Sequence, residues 1–181
     1  MSNYPRERIK YFWEDLPVDT TIEAGSTTIG REEMIEFARK YDPQPFHLSE
    51  EAAAKSIYGK LLASGWQTCV LTMQLMAHNF LHESSSLGSP GMESIKWLKP
   101  VHAGDTLTLR ARIVESRPMK SRPDVGLTRL RFEMFNQHGE QVLLMDGYVM
   151  FGRRKPAVPD GSPSGLPSGP PSGHESNGEN G

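Results

Sequence analysis

The segment from Ser64 to Phe80 constrains the fold most strongly, because its apolar residues recur at helical spacing around most of the helix surface. A helix that is apolar over most of its circumference is buried rather than laid on a surface. The serine- and glycine-rich stretch 84–91 marks its end. We therefore expect a central helix whose apolar positions are Trp66, Cys69, Val70, Leu71, Met73, Leu75, Met76, Ala77 and Phe80.

The chain after this helix alternates between apolar and polar residues, as half-buried strands do. The alternation is clearest over 106–113, and it returns over 130–134 and 143–151, with a shorter strand at 95–97. A buried helix followed by a run of antiparallel strands is accommodated when the sheet wraps around the helix. The sequence thus predicts an α+β fold with an antiparallel sheet wrapped around a buried central helix.

A proline-containing loop lies between two helices that precede the central one. Gly30 caps the first helix, which must stop at Asp42 because Pro43 disfavours a helical residue before it. Pro43 and Pro45 each fix a backbone torsion, so we expect a stiff loop over 42–47. Ser49 then caps a second helix that runs to about residue 57.

The chain has 181 residues, which suits one ordinary domain. We expect residues 1–155 to form it, and the proline-, glycine- and serine-rich stretch 156–181 to be a disordered tail. A net charge of −2 argues against a nucleic-acid partner. The polar start and the lack of an apolar run of about 20 residues favour a cytoplasmic protein with no membrane partner.

The tail contains almost nothing apolar that could dock on the domain. Truncation after Lys155 is therefore expected to leave the melting temperature and the activity unchanged within error. Thermal unfolding of the truncated and full chains checks this expectation, and a loss of several degrees would show that the tail packs on the body.

The loop Asp42-Pro43-Gln44-Pro45-Phe46-His47 resembles the D-x-N-P-x-H loop of the MaoC-like acyl dehydratases, the R-specific enoyl-CoA hydratases of the hotdog superfamily. Gln44 takes the place of the usual asparagine. Gly65 stands where the family places a glycine at the start of the central helix, with Ser64 in place of a frequent histidine. The stretch 100–105 resembles the family's strand turn, and the resemblance covers about residues 11–154.

The resemblance implies a hydratase that interconverts trans-2-enoyl-CoA and (R)-3-hydroxyacyl-CoA. Asp42 and His47 are then the catalytic pair acting on one water, and the Gly65 N–H receives the negative charge that develops on the thioester oxygen. We expect Gln44 and Ser64 to bind substrate beside Gly65. The acyl-CoA thioester is the expected partner, with no cofactor and no metal.

Two further expectations concern the surroundings of this site. In some family members a helix serine orients the catalytic aspartate; Met73 stands at that position here, and Thr68 and Thr72 are candidate substitutes. Basic residues near the mouth of the substrate groove are candidates for contacts with the CoA phosphates: Lys96, Lys99, Arg117, Lys120 and Arg122.

A single copy of this fold would expose a sheet edge, so we expect a homodimer. Two other functions remain open at this point. A hotdog acyl-CoA thioesterase often has an acidic residue on or near the central helix, whereas residues 65–82 contain none. A non-catalytic acyl-CoA-binding protein would not need both Asp42 and His47, although either residue alone could be a turn former or a structural histidine.

Overall fold

The computed structural model describes residues 9–154, and the tail expected from residue 156 lies outside them. The helices are α1 (Arg31–Tyr41), α2 (Pro45–Leu48), α3 (Glu50–Ala54) and α4 (Gly65–Asn79). The strands are β1 (Thr21–Thr28), β2 (Gly91–Trp97), β3 (Thr106–Pro118), β4 (Val125–Phe135) and β5 (Gln141–Gly152).

The five strands form one antiparallel sheet in the order β1-β3-β4-β5-β2. Alternate residues of β3 (Leu107, Leu109, Ala111 and Ile113) are fully buried, and they belong to the same core as Leu71, Leu75 and Met76 of α4. The central helix and the sheet around it confirm the predicted α+β hotdog fold. Within residues 9–154, no helix is long and apolar enough to cross a bilayer.

Three elements differ from the sequence predictions. Residues Pro45–Leu48 form one turn of helix rather than loop, because proline suits the first helical position. The helix capped by Ser49 ends at Ala54, short of residue 57. Strand β1 was not predicted, since its alternation is interrupted at Gly25, where φ is +79° and the pairing with β3 shifts register.

The central helix is not buried on every side. Trp66, Val70 and Met73 follow one another at helical spacing, and each is about half exposed. The sequence prediction of a helix buried around most of its circumference was therefore wrong for this stripe. The sheet of one chain covers only part of α4, and an apolar face of the helix is left uncovered.

Candidate active site

The turn between α1 and α2 brings Asp42 and His47 together. Asp42 caps the C-terminus of α1, and its N–H donates to the Ala38 carbonyl at 2.9 Å. After Pro43, Gln44 caps the one-turn helix α2, which turns the chain back and buries His47. His47 Nε2 then lies 3.4 Å from Asp42 Oδ2.

The orientation of His47 follows from its second ring nitrogen. Nδ1 lies 2.9 Å from the Leu62 carbonyl oxygen, which can only accept a hydrogen bond, so Nδ1 carries the proton and donates. In neutral His47 the lone pair is therefore on Nε2, the atom that faces Asp42. One water could donate one O–H to Nε2 and the other to the carboxylate, which would leave its oxygen lone pairs free for substrate.

Two side chains hold the Asp42 carboxylate in place. The Ser64 hydroxyl donates to Oδ2 at 2.6 Å, and the Gln44 amide donates to Oδ1 at 2.8 Å. Burial opposes ionisation of the carboxyl, but these two hydrogen bonds and the neighbouring His47 together lower the pKa of Asp42 below its ordinary value. Asp42 is thus a carboxylate at neutral pH and acts as an acceptor.

Ser64 has a different contact from the substrate contact expected for it. The residue is 0 % exposed, and its hydroxyl accepts the Trp66 N–H at 3.2 Å as the N-cap of α4 while donating to Asp42. The candidate substitutes for a helix serine do not reach Asp42. Thr68 donates to the Gly65 carbonyl at 2.6 Å, and Thr72 donates to the Thr68 carbonyl at 2.9 Å.

Gly65 begins α4, where the first N–H groups of a helix have no partner in the helix. Within residues 9–154 the Gly65 N–H makes no hydrogen bond, so it is available to a bound oxyanion. The glycine is also needed for packing. A Cβ at this position would lie 2.6 Å from Trp97 Nε1, the atom that donates to the Gly65 carbonyl at 2.8 Å.

A pocket of about 440 Å³ opens beside these groups. Asp42, His47, Gln44 and Gly65 line it. Most of the remaining wall is apolar and includes Phe46, Leu62, Trp66, Trp97, Leu98 and Val101.

Of the five candidates for CoA phosphate contacts, only Lys99 lines this pocket, and it pairs with Glu140. Arg117 and Arg122 instead pair with acidic residues two positions along their own strand or turn. Among residues 9–154, no three or more His, Cys, Asp and Glu side chains lie together in a way that could hold a metal ion.

Comparison with known proteins decides the family. A family model described as a MaoC like domain matches residues 15–131, which is more than half of the chain. The chain belongs to the MaoC-like dehydratase family. This assignment agrees with the Asp42–His47 loop and with the glycine at the start of α4.

Individual relatives show how far this MaoC-like protein resembles known members. The crystal structure of a MaoC-like dehydratase from Rhodospirillum rubrum is 35% identical, with a TM-score of 0.74 over 80% of this chain and 98% of that one. A 3-hydroxybutyryl-CoA dehydratase of Methylorubrum extorquens is 29% identical over 129 residues, 68% of this chain and 76% of the relative. The R-hydratase PhaJ1 from Pseudomonas aeruginosa shares the fold at 22% identity, with a TM-score of 0.64 over 78% and 86% of the two chains.

The Ser64 hydrogen bond gives a testable effect on pH dependence. Ser64→Ala removes a hydrogen bond to a charged group, so kcat is expected to fall by about tenfold. The pKa of Asp42 should rise, because a contact that favours its ionised form is lost. The acid limb of the kcat/KM profile should therefore move to higher pH.

Ser49→Ala is the matched control, since Ser49 caps α3 and does not contact Asp42. It should leave the acid limb in place. If the kcat/KM pH profiles of Ser64→Ala and Ser49→Ala are the same, the Ser64 hydroxyl does not help to lower the pKa of Asp42.

Proposed function

We propose that this MaoC-like protein is a hydratase that interconverts trans-2-enoyl-CoA and (R)-3-hydroxyacyl-CoA. The observation that carries the proposal is the placement of His47 Nε2 and Asp42 Oδ2, 3.4 Å apart, in the pocket that Gly65 also lines. His47 Nε2 and the Asp42 carboxylate can hold a water molecule, and the Gly65 N–H can stabilise negative charge on the substrate, so the three groups suit the addition of water to a polarised double bond.

In the hydration direction, His47 Nε2 takes a proton from the water held between it and Asp42. The water oxygen bonds to the β carbon, and the π electrons move towards the thioester oxygen, where the Gly65 N–H stabilises the enolate. The His47 imidazolium then gives its proton to the α carbon, so that one water is added overall. Asp42 stays ionised throughout and stabilises the imidazolium. Dehydration is the same sequence in reverse.

The substrate and the product configuration also belong to this proposal. The Methylorubrum relative is named for a 3-hydroxyacyl-CoA, and the Pseudomonas structure is named an R-hydratase. We infer a CoA thioester and an R product for this chain, by likeness to those proteins.

The simplest test follows the enoyl-thioester absorbance of a panel of trans-2-enoyl-CoAs mixed with the wild-type protein, with a thiol reagent in parallel. Hydration lowers the enoyl absorbance and releases no thiol. Release of free CoA would instead favour a thioesterase, and binding without either change would favour an acyl-CoA-binding protein.

We also propose that the functional unit is a homodimer. Strand β2 is at the edge of the sheet, without a strand partner on one side among residues 9–154. Trp97 at its end packs against Trp66, whose ring centroid is 5.3 Å away, so this edge is continuous with the exposed stripe of α4. Open strand edges and apolar patches are usually covered. A second copy on this face would also border the pocket that both tryptophans line.

Val70→Asp places a charge in the middle of this stripe and is expected to convert the dimer to a monomer, as measured by light scattering. Val18→Asp is the control, because Val18 is exposed to a similar extent but lies before β1. A Val70→Asp protein that stays dimeric would show that the copies meet elsewhere.

A further inference from the structure

Trp97 forms a fixed part of the pocket wall. Its indole N–H donates to the Gly65 carbonyl at 2.8 Å, and its ring fills the space where a Cβ of residue 65 would be. Trp66 packs edge-on against the same ring at an interplanar angle of 78°. The indole therefore cannot turn aside without losing a hydrogen bond and an aromatic contact. It is still about half exposed, and it lines the pocket.

The polar groups around this ring are already paired with each other. The Gly65 carbonyl accepts the Thr68 hydroxyl as well as the Trp97 N–H. Trp97 thus has no donor left for a ligand and, with Leu98, presents mainly carbon surface to the pocket. The acyl chain of an enoyl thioester needs no hydrogen bonds, whereas the two amides of the pantetheine arm lose free energy when they are buried without partners. The wall at Trp97 consequently fits the acyl chain better than the pantetheine arm.

We propose that Trp97 is a specificity-determining residue that limits the length of the acyl chain, so that the substrates are short-chain trans-2-enoyl thioesters. This inference rests on the proposed hydratase function. The oxygen of the thioester is fixed at the Gly65 N–H and the β carbon at the Asp42–His47 water. We place the carbons beyond the β carbon along the apolar wall of Trp97 and Leu98, where they meet a ring that is already in contact with Gly65. When side chains are packed this closely, additional methylene groups of a longer acyl chain can be accommodated only at the cost of strain.

The test compares kcat/KM for a four-carbon and an eight-carbon trans-2-enoyl-CoA in wild type, Trp97→Ala and Trp97→Phe. Wild type should favour the four-carbon substrate. Trp97→Ala should raise the eight-carbon to four-carbon ratio by about 10- to 100-fold, in line with the effect of methylenes on fit in apolar pockets. Trp97→Phe keeps a ring but loses the N–H, so its ratio should stay near that of wild type. If Trp97→Ala does not fold as a dimer, Trp97→Leu makes the same comparison.

Binding separates failure of this inference from failure of the hydratase proposal. Calorimetric Kd values for butanoyl-CoA and octanoyl-CoA need no catalysis, and their ratio should change in the same direction in Trp97→Ala. A ratio that stays at the wild-type value in both assays overturns the role of Trp97. An equal rise in KM at both chain lengths overturns it as well, since the ring would then contact the shared pantetheine arm. A wild type that hydrates no thioester, with the binding ratio still shifted, counts against the hydratase proposal alone.

Discussion

Asp42→Asn and His47→Gln are each expected to lower kcat for enoyl-CoA hydration by about 10²- to 10⁴-fold, the usual range for positioned acid–base groups. Asn keeps the shape of Asp but cannot stabilise the imidazolium as a carboxylate does, and Gln is polar and similar in length to His but cannot take the proton. KM should change much less, because neither residue holds the CoA moiety. Steady-state kinetics with calorimetric binding of a saturated acyl-CoA measures both effects.

The double variant should be little slower than the slower single variant, because the two groups act on one water and their effects are not additive. His102→Gln is the matched control. His102 Nδ1 lies 2.7 Å from the Leu61 carbonyl oxygen, a contact of the same kind as that of His47 with the Leu62 carbonyl. Unlike His47, His102 does not line the pocket. A folded, CoA-binding Asp42→Asn protein with near-normal hydration rates would contradict the catalytic role of the pair. If Asp42→Asn and His47→Gln both unfold, the two residues have a structural role instead.

Gly65→Ala is expected to lower kcat/KM by about a hundredfold, the scale reported for displacements of about 1 Å in an active site. The new Cβ would lie within 3 Å of three indole atoms of Trp97, so the ring has to move or the first turn of α4 has to shift. The backbone itself accepts alanine, because φ of Gly65 lies outside the left-handed region and alanine favours helices. Tryptophan fluorescence should therefore change, and the melting temperature should fall by several degrees, because the displaced ring loses its hydrogen bond to the Gly65 carbonyl and its contact with Trp66.

Gly30→Ala controls for the loss of a glycine at a helix start, because Gly30 caps α1 and its Cβ would meet no atom within 4 Å. Activity should stay at the wild-type level. The double variant Gly65→Ala/Trp97→Ala should be faster than Gly65→Ala alone, because the indole ring that obstructs the new Cβ is absent. A Gly65→Ala protein with wild-type kinetics would show that substrate does not approach the start of α4 closely.

The periodic elements could be predicted from the sequence because their signals are local. The structure has a strand where the sequence alternates every two residues (β3) and a helix where apolar residues have helical spacing (α4). Burial of one face of a sheet imposes the first period, and burial of a helix imposes the second. The Asp42–His47 pair could be proposed from one short loop for the same reason. Both residues belong to six consecutive positions, and the prolines limit how that loop can run.

The supporting contacts could not be predicted, because they join residues that are distant in the sequence. Ser64 reaches Asp42 across 22 positions, and Trp97 reaches Gly65 across 32. A serine before a glycine at a helix start does signal an N-cap, but not which carboxylate its hydroxyl meets. The exposed stripe of α4 was missed for a related reason. Apolar periodicity shows which residues avoid water, and it does not show whether the sheet or a second chain covers them.

The measurement that tests hydration most directly uses wild-type protein, a short trans-2-enoyl-CoA and water enriched in heavy oxygen, with mass spectrometry and chiral analysis of the product. Addition by Asp42 and His47 places one heavy oxygen on the β carbon, leaves the thioester intact and gives the R alcohol. Heavy oxygen in a free carboxylate with release of CoA, or an unlabelled and unchanged thioester, would contradict the hydratase proposal.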